Sequence, residues 1–99
     1  MKRTLITLAA AVVACTSRAY DLPSNDLASA SYGDVKAAAD QDAIAWYAAH
    51  RTTKADESAL IAIGKGHALK RGAVGSMSDT YAITFEIGVE GQIAAAKAD

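Results

Sequence analysis

The run YAITFEIGVE at residues 81–90 carries the strongest evidence in this sequence for a fold class. Large apolar residues alternate there with small or polar ones, a pattern typical of a half-buried β-strand. Asp79 and Gly91 bound the run with residue types that strands avoid. We therefore predict one C-terminal β-strand at about 80–90. Its apolar face would consist of Tyr81, Ile83, Phe85, Ile87 and Val89.

This strand needs a partner, because a lone strand leaves its backbone N–H and C=O groups unpaired on both edges. Three arrangements are open. The strand can pair with residues 59–63, with its own second half after a bend at Gly88, or with the same strand of a second copy. The last arrangement would make the apolar face a self-association surface and the protein a homodimer.

Upstream of the strand, residues 34–50 have the pattern of an amphipathic helix. Asp34 is a suitable N-cap, and apolar residues recur at three- and four-residue spacing toward His50. Asp40 and Asp42 lie two residues apart, so on a helix they point in different directions and do not form a catalytic pair. We expect both to be solvated, although Asp42 lies near the edge of the apolar stripe.

A second helix is predicted at about 54–71. Thr53 can cap its start, and Gly72 suits the position just after its end. Gly64 and Gly66 each weaken the helix, by about 1 kcal/mol relative to Ala. Residues 59–63, ALIAI, are the alternative, a short buried strand. The predicted fold class is therefore α+β and mainly α, with two helices and one C-terminal strand that a dimer would pair.

The N-terminus has the order of a bacterial secretory signal peptide at residues 1–19. Two basic residues precede the apolar run LITLAAAVVA at residues 5–14, and Ser17-Arg18-Ala19 offers a cleavage site after Ala19. Alternatively, the run VVAC at residues 12–15 resembles a lipobox, in which Cys15 would be acylated. We expect a periplasmic or secreted protein, with an outer-membrane lipoprotein as the alternative.

The remaining chain divides into a linker or loosely ordered arm at residues 20–33, which contains Pro23, and a single small domain at residues 34–99. Of the 80 residues after Ala19, only 20 are large and apolar. A single cysteine cannot form an internal disulfide. A core this small is marginal without a staple, so self-association or a partner is expected to support it.

The charge pattern excludes one class of partner. Loss of residues 1–19 would change the formal net charge from −1 to −4, whereas nucleic-acid-binding domains are usually basic. Basic residues concentrate in one block within the acidic remainder, and this block is a candidate binding face for an anionic envelope component or an acidic protein. Its members are Arg51, Lys54, Lys65, Lys70 and Arg71.

The sequence contains no recognisable catalytic set. No serine lies in a nucleophile-elbow motif, and the only cysteine precedes the predicted cleavage site. His50 and His67 lack the spacing of metal ligands. We therefore predict no catalytic residues, no metal and no cofactor.

Residues 31–60 resemble a family of short exported proteobacterial proteins with no assigned function. The resemblance rests on Ser31, Tyr32, Asp34 and Lys36, followed by ADQDAIAWYA at 39–48 and ADESAL at 55–60. It implies a compartment and a size but no activity, and the predicted C-terminal strand departs from that family.

Together these features predict a small exported bacterial protein that acts as a non-enzymatic envelope or secreted binding module. A small inhibitor of a lytic or other envelope enzyme is the alternative, with the loop at residues 72–79 as the inhibitory segment.

Overall fold

A computed structural model describes residues 22–98 of the chain, and this part folds into three α-helices. Helix α1 spans Tyr32–His50, α2 spans Glu57–Arg71 and α3 spans Ser76–Ala98. α1 and α2 each pack against α3. The described part is thus a small all-helical bundle with α3 at its centre. The predicted signal peptide, with Cys15, lies outside the described residues.

The prediction of a C-terminal strand is wrong, and with it the α+β fold class. Residues 80–90 lie within α3, and no β-strand occurs between residues 22 and 98. Residues 59–63 are also helical, as part of α2. Pairing of strands, whether within the chain or between copies, therefore has no basis in the described residues.

The alternating pattern misleads because a strand and a helix can share positions in it. Apolar residues at every second position also include apolar residues four positions apart, which is about one helical turn. Tyr81, Phe85 and Val89 lie one turn apart on α3 and are buried, whereas Ile83 and Ile87 fall on the opposite side and are exposed. A helix also satisfies its own backbone hydrogen bonds, so α3 needs no neighbouring strand.

The ends of α1 and α2 are set by local capping. Ser31 caps α1, with its hydroxyl accepting from the backbone N–H of Asp34 at 3.1 Å, so the cap lies three residues before the predicted one. Asp56, and not Thr53, caps α2 by accepting from the N–H of Ala59 at 3.1 Å. At the other end, Gly72 adopts the left-handed conformation predicted for it, with φ of 88°.

Two glycines allow the helices to approach closely. A Cβ at Gly64 of α2 would stand 2.8 Å from the Cα of Ala82, and a Cβ at Gly88 of α3 would stand 2.7 Å from the Cβ of Ala43. Neither distance is compatible with a side chain, so α3 contacts both neighbours through glycine. The same contacts show that Ala82 faces α2 and Gly88 faces α1.

The core is correspondingly rich in small residues around a few large ones. Tyr81, Phe85, Val35 and Val89 are its largest fully buried side chains. Trp46 packs edge-on against Phe85, with ring centroids 5.9 Å apart, and stacks on His50 at 4.2 Å. The core cluster comprises Leu27, Val35, Ala39, Ala43, Leu60, Ala68, Ala73, Tyr81, Phe85, Val89 and Ile93.

Candidate functional site

A network of charged and polar side chains crosses the interior where the three helices meet the N-terminal arm. The guanidinium of Arg71 donates to both carboxylate oxygens of Asp26, at 3.0 and 2.6 Å, and to Oδ2 of Asp42 at 2.5 Å. The hydroxyl of Tyr81 donates to the same Oδ2 of Asp42. Asp42, Arg71 and Tyr81 are buried, so most of the network is shielded from solvent. We call these four residues the Arg71 network.

Each member comes from a different segment. Asp42 lies on the buried face of α1, Arg71 ends α2, Tyr81 lies near the start of α3, and Asp26 belongs to the arm. A buried charge is tolerated only when it is paired and hydrogen-bonded. The mutual bonds therefore fix the relative positions of all four segments.

The hydrogen bonds of the network favour the charged forms of Asp26 and Arg71. Hydrogen bonding to Arg71 lowers the pKa of Asp26 below its usual value. Hydrogen bonding to Asp26 raises the pKa of Arg71, and burial raises that of Tyr81. Near neutral pH, Asp26 remains ionised, Arg71 charged and Tyr81 protonated. None of these three is poised to transfer a proton, so the Arg71 network is a structural clamp.

The clamp secures the connection between α2 and α3. The backbone N–H groups of Asn25 and Leu27 donate to the carbonyls of Lys70 and Arg71, at 3.0 and 2.8 Å. These carbonyls lie at the end of α2, where no helical partner exists for them. The arm thus caps the helix through its backbone while Asp26 binds the Arg71 side chain.

The turn itself is a Schellman motif. The N–H of Gly72 donates to the carbonyl of Leu69, and the N–H of Ala73 donates to that of Ala68, at 3.1 and 2.9 Å. Ala68 and Ala73 are both buried, as the motif's apolar contact requires. A Cβ at Gly72 would also stand 3.0 Å from the Cα of Asn25, so the turn fits closely against the arm.

Two large apolar side chains are exposed on either side of this turn. Leu69 is 74% exposed and Val74 is 69% exposed, the highest values among the large apolar residues between positions 22 and 98. We call Leu69 and Val74 the tip. Val74 falls within the segment predicted from the sequence as an inhibitory loop, residues 72–79, whose later residues form the first turn of α3, whereas Leu69 lies in the last turn of α2.

His67 lies inside the bundle, close to the network. Its ring packs edge-on against Phe85 at 5.1 Å between centroids, and its Nδ1 is buried without a hydrogen-bond partner. Burial lowers the pKa of His67, because the imidazolium form loses hydration there. The neutral form of this half-buried ring is therefore favoured.

The structure buries one of the five members of the predicted basic face. Arg71 is buried in the network, and Arg51 lies over the ring of Tyr47 at 6.0 Å from its centroid. Lys65 forms an exposed ion pair with Asp79 at 3.7 Å. The last two members, Lys54 and Lys70, are exposed. The guanidinium of Arg71 is thus unavailable to an anionic ligand.

The Arg71 network was not predicted from the sequence. Asp42 was expected on a solvated face, whereas the structure buries it. The available signal was the position of Asp42 near the edge of the apolar stripe of α1. Asp26 offered no signal, because its partner lies 45 residues away.

A half-open cleft of about 180 Å³ lies between the C-terminal ends of α1 and α3. Its volume is below that of typical ligand pockets, which occupy about 300–1,000 Å³. The lining residues are Tyr47, Thr52, Thr53, Ile93, Ala96 and Lys97.

Residues 22–98 contain no group of three or more metal-ligating side chains that could hold an ion. In the same range, no helix has the length and hydrophobicity needed to cross a bilayer.

Comparisons with protein families, with curated proteins and with solved structures find no match to this chain.

Proposed function

We propose that this protein is a non-enzymatic binding module, exported to the cell envelope or secreted, which engages a protein partner through the tip. The observation that carries the proposal is the exposure of Leu69 and Val74 on either side of a turn that the Arg71 network secures. Export rests on the signal-peptide pattern at residues 1–19 and on the resemblance to short exported proteins.

The arrangement supports recognition because the backbone that carries the side chains of the tip is held in one conformation. Ordering a loop on binding weakens an interaction, and a preorganised turn avoids that penalty. The exposed ammonium of Lys70 lies next to Leu69 in the sequence, so the tip combines apolar surface with one positive charge. A partner surface with an apolar pocket and an acidic rim would complement it.

Site-specific photo-cross-linking tests the proposal in the cell that makes the protein. A photoreactive residue at position 74 should give a discrete adduct, and Leu69→Gln in the same chain should abolish it. Ile44 is the matched control, because it is an exposed isoleucine on α1. No adduct from position 74, or equal adducts from positions 74 and 44, would contradict the proposal.

Inhibition of a lytic envelope enzyme is the second candidate function, favoured by the same projecting turn. An inhibitor inserts a rigid exposed segment into an active-site cleft, and the tip has that form. Stoichiometric inhibition of a peptidoglycan-cleaving enzyme, lost in Val74→Gln and retained in Ile44→Gln, would establish this function. Inhibition unaffected by Val74→Gln would exclude the tip as the inhibitory segment.

A further inference from the structure

The side of α3 that faces away from both other helices carries an exposed apolar ridge. Ile83 and Ile87 lie one turn apart and are 50% and 58% exposed. Gly91 and Ala94 continue the same side of the helix and are also exposed. We call these four residues the α3 ridge. It shares no residue with the tip, so a role for the ridge is independent of the proposed function.

We propose that the α3 ridge is the interface of a homodimer in which two α3 helices pack antiparallel about a two-fold axis at Ile87. The ridge has large residues in its first half and small ones in its second. An antiparallel pair places Ile83 of each copy opposite Gly91 of the other, four residues on either side of the axis. A parallel pair would oppose isoleucine to isoleucine and leave the glycines facing a gap.

The space at Gly91 fits this arrangement. A Cβ added there would meet nothing within 4 Å, so the surface beside it is open within one copy. Placing an isoleucine side chain of the second copy in this open space removes apolar area from water on both sides. The contact is isologous, because each copy supplies both the projecting and the receiving residue.

One pair of charges beside the ridge, Asp79 and Lys97, is complementary under the same symmetry. Asp79 and Lys97 are 18 residues apart, which is five helical turns, so they flank the ridge on one side. Antiparallel packing brings Lys97 of one copy close to Asp79 of the other. Lys97 forms no salt bridge within residues 22–98, and Asp79 has only its exposed pair with Lys65 there. A second copy thus supplies Lys97 with an acidic neighbour.

This interface differs from the predicted self-association face of five alternating residues. Tyr81, Phe85 and Val89 are in the core of each copy and cannot reach a second one. Only Ile83 and Ile87 remain available, and they act through helix packing.

Sedimentation over a hundredfold range of concentration tests the dimer, with protein purified from cells that express the full-length chain. The unaltered protein should change from monomer to dimer. Ile87→Lys places two ammonium groups at the axis and should raise the dissociation constant at least about tenfold without reducing helicity. Ile44→Lys is the matched control and should leave the dissociation constant unchanged. A monomer at every concentration would overturn the proposal, and so would a dimer insensitive to Ile87→Lys.

Exchanging the large residue at position 83 and the small residue at position 91 tests whether the two α3 helices pack antiparallel. Gly91→Leu alone should weaken the dimer, because it fills the space that receives Ile83. The double variant Ile83→Ala with Gly91→Leu should restore association, since the large and small positions have merely changed places. Failure of the second substitution to restore association, in a protein with normal helicity, would exclude this register.

Discussion

Arg71 and Asp42 form a buried ion pair between the end of α2 and the middle of α1, with Nη1 and Oδ2 2.5 Å apart. The same guanidinium holds Asp26 of the arm, and the same carboxylate oxygen accepts from Tyr81. The pair therefore joins three helices and the arm at one point. α1 and α2 each pack mainly on α3, and the pair connects them to each other directly.

Removing the carboxylate of Asp42 should strongly destabilise the fold. Asp42→Ala leaves Arg71 with only one carboxylate partner and Tyr81 with an unsatisfied hydroxyl, and breaking a buried pair costs about 3–5 kcal/mol. Urea unfolding followed by circular dichroism measures the loss. Asp40→Ala is the control, because Asp40 is an exposed aspartate on the same helix and should change stability by less than about 0.5 kcal/mol. Similar losses in both variants would refute the clamp.

Alanine substitutions at two glycines of α2 should change the stability of the fold in opposite directions. Gly64→Ala forces a Cβ to within 2.8 Å of the Ala82 backbone and should destabilise by about 1–3 kcal/mol. Gly66→Ala meets nothing within 4 Å and should stabilise by about 0.5–1 kcal/mol through helix propensity. Thermal unfolding of the two variants gives the comparison directly. Stabilisation by Gly64→Ala would mean that α2 and α3 do not approach as described.

The contribution of Glu86 to stability should fall as the pH rises to about 7. This side chain is buried on α3, and burial together with the carboxylates of Glu90 and Glu57 raises its pKa to about 7. Between its unfolded value near 4.5 and about 7, the folded protein holds a proton that the unfolded chain has released. The contribution of Glu86 to the free energy of unfolding should therefore decrease across that window, whereas His67, whose pKa is lowered, contributes in the opposite direction below its unfolded value of 6.5.

Replacing the titrating group isolates this effect. Glu86→Gln keeps the shape of the side chain without its charge, so it should flatten the pH dependence and be more stable than the unaltered protein above pH 7. Denaturant titrations at a series of pH values measure both effects. Asp40→Asn serves as the control and should leave the slope unchanged. If the free energy of unfolding of Glu86→Gln depended on pH as it does in the unaltered protein, groups other than Glu86 would be responsible for that dependence.

Processing of the N-terminus should release a chain that begins Tyr20-Asp21-Leu22. Ser17 and Ala19 place small residues at both recognition positions of a cleavage site after Ala19. N-terminal sequencing and intact mass of the purified protein measure this. A diacylated Cys15 would instead establish the lipoprotein alternative. Retention of Met1 in an envelope fraction would contradict both.

Local sequence signals predicted the first two helices well. Capping residues and apolar spacing depend on neighbours within one or two turns, so the region of α1 and the end of α2 at Gly72 were predictable without a structure. The predicted N-cap of α2 is Thr53, whereas the structure has Asp56 there. The sequence does not separate them, since both residue types can cap a helix. The loop predicted at residues 72–79 is a turn only up to Gly75, because α3 begins at Ser76.

Composition and near neighbours are enough to establish the helical segments around residues 34–50 and 54–71, the turn at Gly72 and the marginal supply of large apolar residues. The choice between strand and helix at residues 81–90 required tertiary contacts, because alternation and four-residue spacing share the positions of Tyr81, Phe85 and Val89. Packing against α1 and α2 buries these three together with Ala82, and that selects the helix. The Arg71 network likewise depends on contacts between residues 29 to 45 positions apart, a separation that no local pattern encodes.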